Sequence, residues 1–289
     1  MNSRTLQRIS AETAKWIFRA ASIFSVLALL LITVFLIAYG APAIFEIGPK
    51  EFLLGTQWQP NAKIFGILPM ILASIYITLG AALIGFPLGL LTAVFLAEVA
   101  PPRLANLVRP LIKLLAGIPS VVCGFFGLMV LVPRIMDIQG AGNSMLAAMI
   151  ILGIMILPTV VSISETALRA VPSSYKEASY ALGESRISTI FRVTIPAAKS
   201  GILTSFALGA GRAIGEATAV ALVAGNKVQI PSSIFDSVRT LTTNCVFEMG
   251  YASGLHQRAL FATAVILFIL IILINIALSV LGNKEEKHE

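Results

Sequence analysis

The sequence predicts an all-α fold, a polytopic membrane helix bundle of six transmembrane helices, and three observations lead there. Of 289 residues, 57% are hydrophobic and only 12% charged, against about 25% charged in soluble proteins. One core of this size cannot hide that surplus, so much of it must face lipid. The apolar residues also gather into six segments, each near or above the roughly 20 residues that cross a bilayer. Finally, the basic residues sit in short runs between those segments, as the positive-inside rule leads one to expect. A net charge of +7 distributed in this way is not a basic groove and argues against nucleic acid.

The first segment, residues 20–39, follows Arg4, Arg8, Lys15 and Arg19. Its apolar stretch is longer than the roughly 7–15 residues of a signal peptide, despite the cleavage-like Ala41-Pro42-Ala43, so an uncleaved helix is expected. The second, residues 67–97, would be about 46 Å long as one straight helix and must tilt, kink or protrude from a hydrocarbon layer of about 30 Å. Pro87, between Gly85 and Gly89, is the expected kink. Segments three (111–133) and four (144–164) are interrupted by Pro119 and Pro158, which membrane helices tolerate. Segments five (201–225) and six (260–281) complete the set.

Fourteen lysines and arginines lie at the amino end, in Arg103–Lys113, in Arg169–Lys199 and in the carboxyl tail, against six in the alternate loops. Both termini are therefore predicted to be cytoplasmic. No repeat is visible, and residues 1–289 read as one membrane domain.

The loop 165–199 is too long and too patterned for a simple turn. Pro172 can precede a helix, with Ser174 as cap and Glu177 completing a capping box, and Gly183 supplies a left-handed stop. A second short helix is expected to carry Ile187, Ile190 and Phe191 on one face and to end before Pro196. Such helices could simply lie on the membrane surface. Their spacing says more: Glu177-Ala178-Ser179, then Gly183, then Val193-Thr194-Ile195-Pro196 resembles the EAA loop of ABC importer permeases. It departs at Ser179, Val193 and Ile195, all conservative changes. The resemblance implies coupling helices that dock on a separate cytoplasmic ATPase, with Glu177, Ala178, Ser179, Gly183 and Pro196 as coupling residues. This chain has no phosphate-cradling GxxxxGK[ST] of its own, so it is read as a transporter subunit and not an enzyme.

Arg212 and Glu216 are the only ionisable residues deep in any segment, one helical turn apart and about 16–17 Å from Gly201. Each costs about 2.5–3.5 kcal/mol at mid-bilayer, so each should face a partner or a polar path. A self-sufficient ion pair is one reading. A substrate pathway is the other, and Gly209, Gly211 and Gly215 leave room for close approach.

The stretch RAIGEATAVALVAGN, with FLLGTQWQP and LLAGIPSVVCGFFGLMVLVP upstream, is similar to the phosphate-specific ABC importer permeases, more to the PstC type than to its companion PstA. That resemblance implies a second homologous permease subunit, a cytoplasmic ATPase dimer, an external phosphate-binding protein and phosphate as cargo, with Arg212 and Glu216 in the pathway. A guanidinium fork suits phosphate oxygens, but also sulfate or molybdate. A passive channel or scaffold would show the same spans without the coupling loop.

The segments 40–66 and 226–259, with Trp58, Tyr251 and His256, read either as a dock for a binding protein or as ordinary interfacial loops. Neither His256 nor His288 has a ligand cluster in sequence, so no metal or other cofactor is expected.

Overall fold

The computed structural model describes residues 3–139 and 142–286; His288 lies outside them. Five helices among the described residues are long and apolar enough to cross a membrane.

Helix α1 (Ser3–Ile47) carries the first segment without a break. Most of its apolar side chains from Trp16 to Tyr39 are exposed, and it meets the rest of the chain mainly along α14 (Gly254–Glu286). Phe35 and Tyr39 pack on Phe261, and Gly40 lies where an added Cβ would come within 2.8 Å of the Phe261 backbone.

At the centre, α3 (Leu68–Val94) lies along α7 (Met145–Ala170). Gly85 allows the approach: a Cβ there would stand 2.6 Å from the Gly153 carbonyl oxygen. The glycines that flank Pro87 thus have a packing task, because Gly89 abuts Val160 on the same face of α7. The helix runs on through Pro87 to Val94. Ile77, Ile151, Leu152, Ile156 and Val220 are buried around this seam.

Beyond Val94 the chain makes a π turn, Phe95–Val99, and then meets Pro101 and Pro102. The third apolar segment divides here in a way the hydropathy profile does not show. Helix α4 (Pro102–Ala116) exposes Leu104, Leu107, Leu111 and Leu114 along one face and carries Arg103, Arg109 and Lys113, an amphipathic pattern of interfacial type. Residues 117–119 interrupt it, since Pro119 lacks an amide hydrogen and disfavours helix in the residue before it. The membrane-length stretch begins afterwards with α5 (Ser120–Phe126), a π turn at Gly127–Leu131 and α6 (Val132–Gln139). So Leu111 belongs to the amphipathic helix and not to the span.

The fifth segment is broken too. Helix α11 (Lys199–Gly215) ends at Glu216, whose backbone is extended (φ −74°, ψ 123°), and α12 (Thr218–Val223) restarts two residues later.

The end of the bundle away from loop 165–199 is closed by α2 (Pro49–Leu54), a ribbon pairing β1 (Trp58–Gln59) with β2 (Ile64–Phe65), and α13 (Leu241–Glu248). A polar knot holds these parts together. Glu248, 5% exposed, accepts from Trp58 Nε1 (2.7 Å) and from Arg239 Nη1 (2.6 Å), and lies 2.8 Å from His256 Nε2. Trp58 is therefore a buried anchor, 8% exposed, and not an interfacial belt residue. His256, isolated in sequence, is brought against a carboxylate by the fold. No group of three metal-type ligands occurs among the described residues. In the loop before α13, hydrogen bonds from the Ser232 and Ser233 backbone and the Ser232 hydroxyl hold the Asp236 carboxyl below its ordinary range.

Candidate functional site

Arg212 and Glu216 do not form the ion pair that their spacing permits. The helix breaks between them, and the Glu216 carboxylate turns forward: Oε1 accepts from the amides of Thr218 (3.0 Å) and Ala219 (3.1 Å) at the start of α12. A carboxylate there satisfies amides that the broken helix would leave open. The Glu216 carbonyl accepts from Thr242 on α13 (3.1 Å), so the break is fixed on both sides. Arg212 is left exposed on the flank of α11, and its single hydrogen bond among the described residues is a long one, Nη1 to Thr159 Oγ1 of α7 (3.4 Å). A Cβ added at Gly211 or Gly215 would meet nothing within 4 Å, so this flank is open.

The other candidate residues lie at the end marked by loop 165–199. Helix α8 (Ser173–Ala181) has Pro172 and not Ser174 at its N-cap, with no side-chain cap, so the capping box expected between Ser174 and Glu177 does not form. Proline at the entry fixes φ and removes one amide that would need a partner. The stop is as expected: Gly183 has φ +85°. Its amide donates to Tyr180 O (3.0 Å) and the Glu184 amide to Ser179 O (3.2 Å), a Schellman closure that needs the left-handed residue.

Helix α9 (Arg186–Thr189) follows, capped by Ser185, and passes through a π turn at Ile190–Thr194 into α10 (Ile195–Ala197). Pro196 thus sits inside the last short helix. The apolar face expected from Ile187, Ile190 and Phe191 is split: Ile190 is buried, whereas Ile187 (71%) and Phe191 are exposed. Ser179, which looked like a neutral departure from alanine, is buried, and its Oγ lies 2.9 Å from Thr189 Oγ1, tying the two short helices together. Glu177 and Ala178 lie on the exposed side. Glu177 has no hydrogen-bond or ion-pair partner among the described residues. Tyr175, Tyr180 and Leu182 are also exposed, Leu182 at 86%.

Two prolines explain how this pair of helices is held. Pro101 and Pro102 have no amide hydrogens, so the π turn before them leaves the carbonyls of Leu96 and Glu98 without backbone donors. Arginines take both. Leu96 O accepts from Arg169 Nη2 (2.8 Å) and Arg109 Nη2 (3.4 Å), and Glu98 O accepts from Arg186. The Glu98 carboxylate pairs with Lys176 of α8, and Glu165 of α7 takes Arg109 Nε (2.7 Å) and Arg169 Nε (2.9 Å). Sequence reading did not single out Glu98, Lys176 or Arg186. The Pro-Pro pair after an acidic residue was the available signal.

Long apolar helices, an arginine stranded beside a broken one, and an exposed pair of short helices clamped to the bundle define a membrane permease driven from outside its own chain. Residues 85–285 match the family described as binding-protein-dependent transport system inner membrane component. A probable ABC transporter permease protein, YqgH of Bacillus subtilis (strain 168), is 38% identical over 99% of this chain and 95% of its own length. The phosphate transport system permease protein PstC of Xylella fastidiosa (strain Temecula1 / ATCC 700964) is 32% identical over 88% of this chain and 85% of its own. Among solved structures, a bacterial transporter importing the acidic polysaccharide alginate aligns with a TM-score of 0.65 at 14% identity, covering 96% of this chain and 99% of that one. An inward-facing MetNI methionine transporter gives 0.62 at 20%, covering 79% and 99%. The chain belongs to the binding-protein-dependent transport system inner membrane component family; it is an ABC importer permease, not an enzyme.

Proposed function

We propose that this chain is the permease subunit through which inorganic phosphate enters the cell, working with a second, PstA-like permease, a cytoplasmic ATPase dimer and an external phosphate-binding protein. In this reading α11 and α12 together make a sixth crossing, and both termini face the cytoplasm, as the excess of basic residues on that side supports. The end carrying α8 and α9 is then the cytoplasmic end. There Glu177 and Ala178, with the exposed tyrosines and Leu182, meet the ATPase, Gly183 sets the bend, and Ser179 and Pro196 keep the helices in register.

The observation that carries the substrate reading is Arg212, exposed on the open flank of α11 beside the helix break, with no counter-charge bonded to it. Its fork of donors fits phosphate oxygens and stays charged at every physiological pH. Glu216, fixed by two amides one turn away, keeps a negative charge close enough to stop the arginine from becoming a deep anion trap. Relatives named as phosphate transport permeases support the cargo. Sulfate and molybdate share the tetrahedral shape, so the test is direct. The complete complex in vesicles, with its binding protein, is offered labelled phosphate, sulfate and molybdate. ATP-dependent accumulation of phosphate alone is expected, and accumulation of another oxyanion in its place overturns the substrate reading.

A further inference from the structure

Helix α7 carries a stripe of polar residues that its role in the core does not explain. Thr159, Ser162, Thr166 and Arg169 recur at helical spacing along one side of a mostly apolar helix, while the opposite side packs on α3. Thr159 is the residue that Arg212 touches. Ser162, Thr166 and Arg169 line a cleft of about 380 Å³ shared with Arg109 and Lys113 of α4. From Thr159 to Arg169 is ten residues, about 15 Å along the axis, half the thickness of a hydrocarbon layer of about 30 Å. The stripe thus runs from the stranded arginine to a basic cleft at the loop end.

We infer that the stripe lines the inner half of the anion path and that the cleft is its mouth, a site for a phosphate group. This rests on the phosphate reading of Arg212. The cleft carries three cations against one carboxylate, Glu165, which already binds Arg109 and Arg169. Lys113 makes no ion pair among the described residues, and the Ser162 hydroxyl has no hydrogen-bond partner there. Thr166 instead turns its hydroxyl to the Ser162 carbonyl (2.8 Å), as threonines do on any membrane helix. Donors without partners beside a net positive cleft suit an anion leaving Arg212: each contact is weaker than a closed cage, so the anion moves on and is not trapped.

The test uses the assembled, nucleotide-free complex in discs of zwitterionic lipid, with Cys123 and Cys245 replaced by alanine. Ser162→Cys, Thr166→Cys and, as a control at an exposed apolar position of α3, Leu79→Cys are each exposed to a membrane-impermeant thiol reagent. A thiolate forms in water but not in hydrocarbon, so Cys at 162 and 166 should react about tenfold or more faster than Cys at 79. Inorganic phosphate should slow the two reactions, and Lys113→Gln should weaken that protection. Labelling no faster than the control, in a complex that still hydrolyses ATP, overturns the path. Protection by anionic phospholipid but not by inorganic phosphate makes the cleft a headgroup site and also overturns it. Protection by sulfate or molybdate in place of phosphate leaves the path standing and removes the phosphate reading on which its cargo rests.

Discussion

Lys176 on helix α8 lies 2.6 Å from the carboxylate of Glu98, in the π turn that follows the long helix α3, and both side chains are largely buried. The contact joins the part of the chain proposed to meet the ATPase to the central seam of the bundle. Arg186 reinforces it by donating to the carbonyl of the same Glu98. Two charged contacts thus tie α8 and α9 to the turn at the end of α3.

Breaking that joint should separate ATP hydrolysis from uptake. Lys176→Gln strands a part-buried carboxylate, and losing a charged hydrogen bond costs about 1.5–3 kcal/mol. The complex should still assemble and hydrolyse ATP while uptake falls roughly tenfold, since 1.4 kcal/mol is one factor of ten. The exchanged pair Glu98→Lys with Lys176→Glu should recover part of the uptake. Normal uptake in either single variant would remove the joint from the coupling route.

At the helix break, charge and capping can be separated. Glu216→Gln keeps an oxygen for the amides of Thr218 and Ala219 and should leave the melting temperature nearly unchanged while altering uptake. Glu216→Ala loses the cap as well and should cost about 1 kcal/mol more in stability. Thermal unfolding of the purified complexes beside transport rates distinguishes the two. Equal stability of both variants would mean that the carboxylate does not hold α12.

The knot at the opposite end should behave as a structural unit. Glu248→Ala leaves the part-buried Arg239 without its counter-charge, which costs up to about 3–5 kcal/mol when one partner of a buried pair is removed. Loss of folded protein at ordinary temperature, or a large drop in unfolding midpoint, is expected. A shift near zero would show that water or neighbouring groups replace the carboxylate.

The seam between α3 and α7 offers a steric test. Gly85→Val pushes side-chain atoms into the Gly153 backbone and Ile156, and overpacking of this kind costs about 1–3 kcal/mol. The same change at Gly211, where space is open, should be milder for folding. A thermal scan of both variants checks the order.

Much of this was legible in the sequence because the signals were local. Hydropathy located the apolar segments, Gly183 marked the stop of α8, and the arginine at 212 stood out as a charge within an apolar stretch. What escaped depended on partners distant in the chain. Glu216 looked like half of an i, i+4 pair because periodicity assumes an unbroken helix. Only the tie to Thr242 and the amides of α12 reveals the break. Leu111 looked like the start of a span because hydropathy cannot tell a leucine stripe facing a membrane surface from one inside it. Trp58 and His256 looked like separate loop residues until the fold set both against Glu248. Ser174 and Glu177 matched a capping box, yet the N-cap is Pro172 and Ser174 already lies inside the helix.

The central claim is that Arg212 contacts the transported anion, and one measurement reaches it most directly. Arg212→Gln is placed in the complete complex, with ATPase activity and binding-protein stimulation verified first, and uptake of labelled phosphate is followed with time. The account requires accumulation to fall to the level of vesicles without ATP while hydrolysis continues. Phosphate uptake at the unaltered rate in that complex would contradict it and return Arg212 to a packing role.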